Sequence, residues 1–119
     1  MMATLYDKYG GFAAINRVVM SFYDRVLDSD ELAPYFEHVD MSRLIDHQTK
    51  FLAALLGGPA SFTDEHLRHV HSALAITDAA FDLVKETLHA TLVDHGFAAA
   101  DADAVGAEIE RRRRVVVAR

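Results

Sequence analysis

Thr63 to Ile76 reads TDEHLRHVHSALAI, and the reading of this stretch decides the rest. Thr63 can cap a helix whose first turn holds Asp64 and Glu65, where the helix dipole favours anions. Leu67, Val70, His71 and Leu74 follow at helical spacing and form one apolar stripe. His71 therefore sits among residues that favour burial. A buried neutral imidazole needs partners for both ring nitrogens. Backbone and water can supply them, or one nitrogen can bind a metal. The stretch alone leaves both readings open.

Thr77 with Asp78 restarts a helix whose inner face is Phe81, Val84, Leu88 and Leu92, ending near Gly96. A last helix, about Ala99 to Val117, carries only sparse apolar positions, Val105, Ile109 and Val116, with Gly106 in its interior. On the other side, Gly57-Gly58-Pro59 ends a helix that Asp40 caps and that runs through Leu56. Its apolar positions are Met41, Leu44, Ile45, Phe51, Leu52 and Leu55. The period calls for an apolar residue at 48, and the chain supplies Gln48. A buried amide without partners costs roughly 1–3 kcal/mol. Gln48 thus predicts polar company inside: Tyr23, a bound molecule, or both. His47 lies about 100° around the same helix.

Further towards the N-terminus, Ser29 to Val39 reads as a corner with a short helical turn, punctuated by Pro34 and carrying Leu32, Tyr35 and Phe36. Phe12 to Asp28 reads as a helix with Phe12, Ile15, Val18, Val19, Phe22 and Val26 on one side. Asn16, Arg17, Asp24 and Arg25 fall mostly on the other. Tyr23 borders the apolar face, where its ring buries and its hydroxyl needs a partner. Residues 3–9 form a short first helix closed by Gly10-Gly11.

A chain of 119 residues with 51% hydrophobic content fits one domain with a full core. Six glycines and two prolines are too few for an all-β chain rich in tight turns, and the helical periods and glycine-marked breaks above give an all-α domain. The net charge of −6 argues against a general nucleic-acid surface. The basic run Arg111 to Arg114 reads as a solvated final helical turn, the other reading being contact with an acidic partner or phosphate. No cysteine is present, which excludes disulfides, thiolate zinc sites and cysteine nucleophiles. No run reaches membrane-spanning length, and Asp7 and Lys8 interrupt any signal-peptide core. The expectation is a cytoplasmic protein, monomeric or weakly dimeric, with no nucleic acid or membrane partner.

LYDKYGG near the start, then SFYDRVL, APYFEHVDMSRL, DHQTKFLAALLGGP and HVHSALAIT with Phe81 following, are decisive in their order and spacing. In these strings, over about residues 4–95, the chain resembles the group I truncated haemoglobins, small globins with a two-over-two helical sandwich. The last helix matches poorly. The resemblance implies haem b held between two helix pairs, with His71 as the proximal iron ligand. Its second ring nitrogen would donate to a backbone carbonyl and fix the tautomer. Phe36 would stack on the porphyrin, and Leu44, Phe51, Leu67, Ile76, Phe81 and Val84 would line an apolar cavity. Plain core packing is the other reading of those residues, and both can hold together.

By the same resemblance, Tyr23 and Gln48 match the family's distal polar pair. A hydrogen bond to a charged acceptor is worth about 1.5–3 kcal/mol, so two donors would hold dioxygen tightly. That suits chemistry on the gas better than oxygen transport. Dioxygen, nitric oxide and carbon monoxide are the implied ligands. Oxidation of nitric oxide would need an external, unidentified reductase. His47 adds an alternative, because in some relatives a histidine at this position binds iron from the distal side, which suits electron transfer or gas and redox sensing. His47 and Gln48 cannot both face the iron from an undistorted helix. Some relatives attach haem covalently through a histidine in the last helix. This chain has none after His95, so no such link is expected. Where Leu52 stands, some members place an aromatic proposed to gate a gas tunnel, and no gate is carried over.

Two rival readings need no haem. Among seven histidines, His66, His69 and His71 cluster, but 66 and 69 share a face that 71 does not. Glu86 and His89 form a single Glu-x-x-His, where a di-iron bundle needs two and further inward glutamates. A small helical interaction module, finally, would pair Gln48 with His71 inside its core.

Overall fold

Asp40 and Thr77 set the two helix starts that matter most. The Asp40 carboxylate accepts from the Arg43 amide at 3.3 Å, and helix α3 follows as Met41–Leu55. The Thr77 hydroxyl accepts from the Ala80 amide at 3.1 Å and opens α4, Asp78–Asp94. Each cap satisfies an amide that has no partner within its own helix. Both helices begin where the sequence predicts. The computed structural model describes residues 4–58 and 76–117, without the side chains of residues 115 and 116. The expected Thr63 helix, with Leu67 and His71, lies outside the described residues.

Helix α1, Leu5–Lys8, is capped by Thr4, and α2 runs Gly11–Asp28. The turn between them needs Gly10, whose φ of 104° is a conformation that side chains rarely adopt. After α2 comes the predicted corner, a 3-10 turn at Ala33–Phe36 with Pro34 in its first positions. Beyond α4 the expected single last helix is two: α5, Ala99–Glu110, and α6, Arg113–Val116, separated at Arg111 and Arg112.

Helix α2 packs on α3, α4 packs on α5, and α2 crosses α4, which makes two layers of paired helices. Ile15, Val26, Leu32 and Leu92 are almost fully buried at their junction. No strand is named among the described residues, only one isolated parallel bridge between Ile76 and Val117. The N-terminal segment is stitched to distant parts. The Tyr6 amide donates to the Leu56 carbonyl at 2.9 Å, and Tyr9 stacks on Phe97 with centroids 3.7 Å apart. Tyr9 and Lys8 both donate to Asp101, and those hydrogen bonds, Lys8 first, hold its carboxyl below the usual range. Gly58 fits only because it lacks a side chain: a Cβ there would stand 2.6 Å from the Tyr6 ring and 2.9 Å from the Ala53 carbonyl.

Four expectations are corrected. Phe12, in the first turn of α2, is 40% exposed. The buried polar residue of α3 is Thr49 rather than Gln48, which is half-buried. Thr49 is satisfied locally: its hydroxyl donates to the Ile45 carbonyl at 2.7 Å and accepts from the Asn16 amide at 3.2 Å. Asn16, assigned to the outer side of α2, therefore faces α3. Nor is the arginine run a solvated turn throughout. Arg113 binds Asp78, Asp82 and Glu110, and Arg112 lies 5.7 Å from the Phe51 ring centroid. A guanidinium can leave water when several carboxylates and an aromatic face replace it.

Candidate functional site

Tyr23 is the buried anchor of the site. It sits in the middle of α2, 6% exposed, wedged edge-on between Phe22 at 4.8 Å and Phe36 at 5.8 Å. The 3-10 turn presents Phe36 to it, so the aromatic corner and α2 build one wall. The Tyr23 hydroxyl makes no hydrogen bond to another described residue, Gln48 included. Burial alone pushes its pKa above the ordinary value. The phenol thus stays neutral and keeps its proton for donation at any working pH.

Helix α3 carries the facing residues. Leu44, His47, Gln48 and Phe51 are all half-buried, at the border between the packed core and accessible space. They lie at i, i+3, i+4 and i+7, one side of the helix. The opposite layer supplies Ile76 and Phe81, both buried, and Val84, half-buried on α4. The described candidates therefore fall on both helix layers. Leu67 and His71 lie outside the described residues.

Sequence reasoning missed the Thr49–Asn16 link, the Arg113 cluster and Arg112 against Phe51. The first had a signal, since Thr49 continues the spacing Ile45, Leu52, Ala53, Leu56, the face that is in fact buried. Arg112 against Phe51, and Arg113 against Asp78 and Asp82, had none, because those partners are distant in sequence. The Glu-x-x-His of Glu86 and His89 lines a surface groove of about 480 Å³ between α4 and α5. There His89 pairs with Asp103 at 2.8 Å, and no cluster able to hold a metal ion is found among the described residues.

A buried phenol with no described partner, half-covered apolar residues on facing layers, and one polar amide among them fit a flat, largely apolar cofactor carrying a polar ligand. These are the features of a small haem-binding globin. Comparison with known proteins agrees. The bacterial-like globin family matches residues 4–117, and the chain belongs to it. The match runs through the last helices, further than the motifs alone reach. The group 1 truncated haemoglobin of Synechocystis is 37% identical over 99 residues, 80% of each chain. That of Tetrahymena pyriformis is 32% identical over 111 residues, 93% of this chain and 92% of its own. Among solved structures, the 2/2 haemoglobin of Synechococcus, in the cyanomet state with covalently attached haem, superimposes with a TM-score of 0.89 at 30% identity, covering 97% and 98% of the two chains. The fold is the two-over-two truncated globin sandwich. Haem is the cofactor, the b form being usual, and diatomic gases are the family's ligands. No helix among the described residues is long and apolar enough to cross a membrane.

Proposed function

We propose that this globin binds dioxygen at an iron held by His71 and uses it to oxidise nitric oxide. When bound, the haem would supply a gas-binding position and the one electron needed to turn dioxygen and nitric oxide into nitrate, an electron that an external cytoplasmic reductase would restore. The observation that carries the reading is Tyr23: a buried ring whose neutral hydroxyl makes no hydrogen bond to a described residue. Tyr23 donates a hydrogen bond to the negative end of a polarised gas, and Gln48 on the facing helix donates a second. Phe22 and Phe36 fix the Tyr23 ring, so the donor is oriented before the gas arrives. Phe36 would stack on the porphyrin, and Leu44, Phe51, Ile76, Phe81 and Val84 would line the apolar cavity that keeps water from it.

Stopped-flow mixing of the oxygenated protein with nitric oxide tests the activity. A reaction no faster than that of free haem overturns it. His71→Ala tests the ligand, and its expected result is loss of haem retention.

A second reading makes His47 a distal iron ligand, suited to electron transfer or to gas and redox sensing. It is supported by the half-burial of His47 on α3, one residue before Gln48. The ferric absorption spectrum separates the two: a low-spin form at neutral pH favours His47 ligation, and a high-spin, water-ligated form excludes it.

A further inference from the structure

Tyr23 stands on α2 and Gln48 on α3, and a side-chain hydrogen bond ties those two helices together. The Asn16 amide, on α2, donates to the Thr49 hydroxyl of α3 at 3.2 Å. Thr49 is fully buried and directly follows Gln48 in the chain. Asn16 precedes Tyr23 by two helical turns, so both lie on the same side of α2.

The direction of this bond is fixed. The Thr49 hydroxyl has one proton, and it goes to the Ile45 carbonyl, one turn back on α3, at 2.7 Å. Only lone pairs remain for Asn16, which therefore donates. The hydroxyl is pinned to its own helix on one side and to α2 on the other.

That constraint has a use beyond stability. Helix α3 buries Thr49, Leu52 and Ala53 on one side and leaves Leu44, Gln48 and Phe51 half-covered on another. Apolar contact is non-directional, so such packing resists a small rotation of the helix only weakly. A hydrogen bond resists it well, because its length varies by only a few tenths of an ångström. With a radius of roughly 5–6 Å including side chains, turning α3 by about 20° moves an outer atom by about 2 Å. A donor displaced that far loses its acceptor. The Tyr23 ring is already held by Phe22 and Phe36, whereas the place of the Gln48 amide depends on how α3 is turned.

We infer that Asn16 and Thr49 are positioning residues for the donor pair. Their hydrogen bond fixes the rotation of α3 against α2, and so where the Gln48 amide stands relative to the Tyr23 hydroxyl. The inference rests on the reading of Tyr23 and Gln48 as donors to bound dioxygen.

Dioxygen dissociation from the ferrous haem protein, followed by displacement with carbon monoxide, tests it in a cycle of Asn16→Leu and Gln48→Leu. Asn16→Leu should speed dissociation several-fold while the absorption spectrum, which reads iron coordination, stays unchanged. In the Gln48→Leu background the same substitution should change the rate by less than about two-fold, since no amide is left to misplace. Asn16→Asp is the rescue. Its carboxylate accepts where the amide donated, the Thr49 hydroxyl turns to meet it, and a near-natural rate should return. An unchanged rate in Asn16→Leu, or the same increase with and without Gln48, overturns the inference. If Gln48→Leu alone leaves the rate unchanged, the donor reading of Gln48 falls, and this inference with it. Where Asn16→Leu does not fold, Asn16→Ala takes its place. In urea melts of the haem-free protein the two substitutions should simply add, because Asn16 bonds to Thr49 and not to Gln48. Coupling in the melts as strong as in the dissociation rates indicates direct contact between the two side chains and overturns the positioning role.

Discussion

Tyr23→Phe removes one oxygen atom and leaves the rest of the wall intact. The ring keeps its edge-on contacts with Phe22 and Phe36, so packing is preserved. No described residue loses a hydrogen-bond partner, and folding stability should change by less than about 1 kcal/mol. Gas binding should respond far more. A hydrogen bond to a charged acceptor contributes about 1.5–3 kcal/mol, which converts to a dioxygen dissociation rate roughly 10- to 150-fold faster. With Gln48 as the proposed second donor to the same acceptor, the lower end of that range is expected. Stopped-flow displacement of dioxygen by carbon monoxide measures the rate. A change below about two-fold would refute the donor role of Tyr23. A pH titration adds a second arm. Burial raises the pKa of Tyr23 in the folded state, so the stability this group contributes is fully present below the ordinary tyrosine value of 10.0 and is lost as pH rises beyond it. The natural protein should therefore weaken above that pH more steeply than Tyr23→Phe does in thermal melts.

Other substitutions probe the frame rather than the gas. Thr49→Val keeps the shape of a fully buried side chain but leaves the Asn16 amide without its acceptor. Denaturant melts should show a loss of about 1 kcal/mol, with the haem spectrum unchanged. Gly58→Ala forces a methyl group against the Tyr6 ring and the Ala53 carbonyl, and should cost about 1–3 kcal/mol in the same assay. Since no histidine follows His95, acid–butanone should extract the haem completely, and retention of colour by the protein would reveal a covalent link.

Helix boundaries were legible because their causes are local. Asp40 and Thr77 cap the helices they precede, and the Gly10 turn and the Pro34 corner stand where they were expected. Tyr23 was legible as a buried ring in need of a partner, since its place beside Phe22 needs only the helical period. Gln48 was legible only in part. Helix α3 has two apolar sides, one packed on α2 and one that α2 leaves half-covered. A single period cannot tell them apart, so Thr49 was passed over. Arg113 was not legible at all. Two of its three carboxylates belong to a helix more than thirty positions away, and a run of arginines has the pattern of a solvated surface whatever it touches. The family match reaches Val117, so the last helices carry a family pattern too diffuse to stand out as a motif in one sequence.

The seating of Tyr9 on Phe97 and Asp101 bears on how the molecule assembles. Its hydrogen bond to Asp101 joins positions 92 residues apart, so it can form only after α5 has found its place. Helix α1, four residues long, cannot persist by itself in water. It is therefore the latch fastened last, and Tyr9→Ala should leave the refolding rate nearly untouched while speeding unfolding.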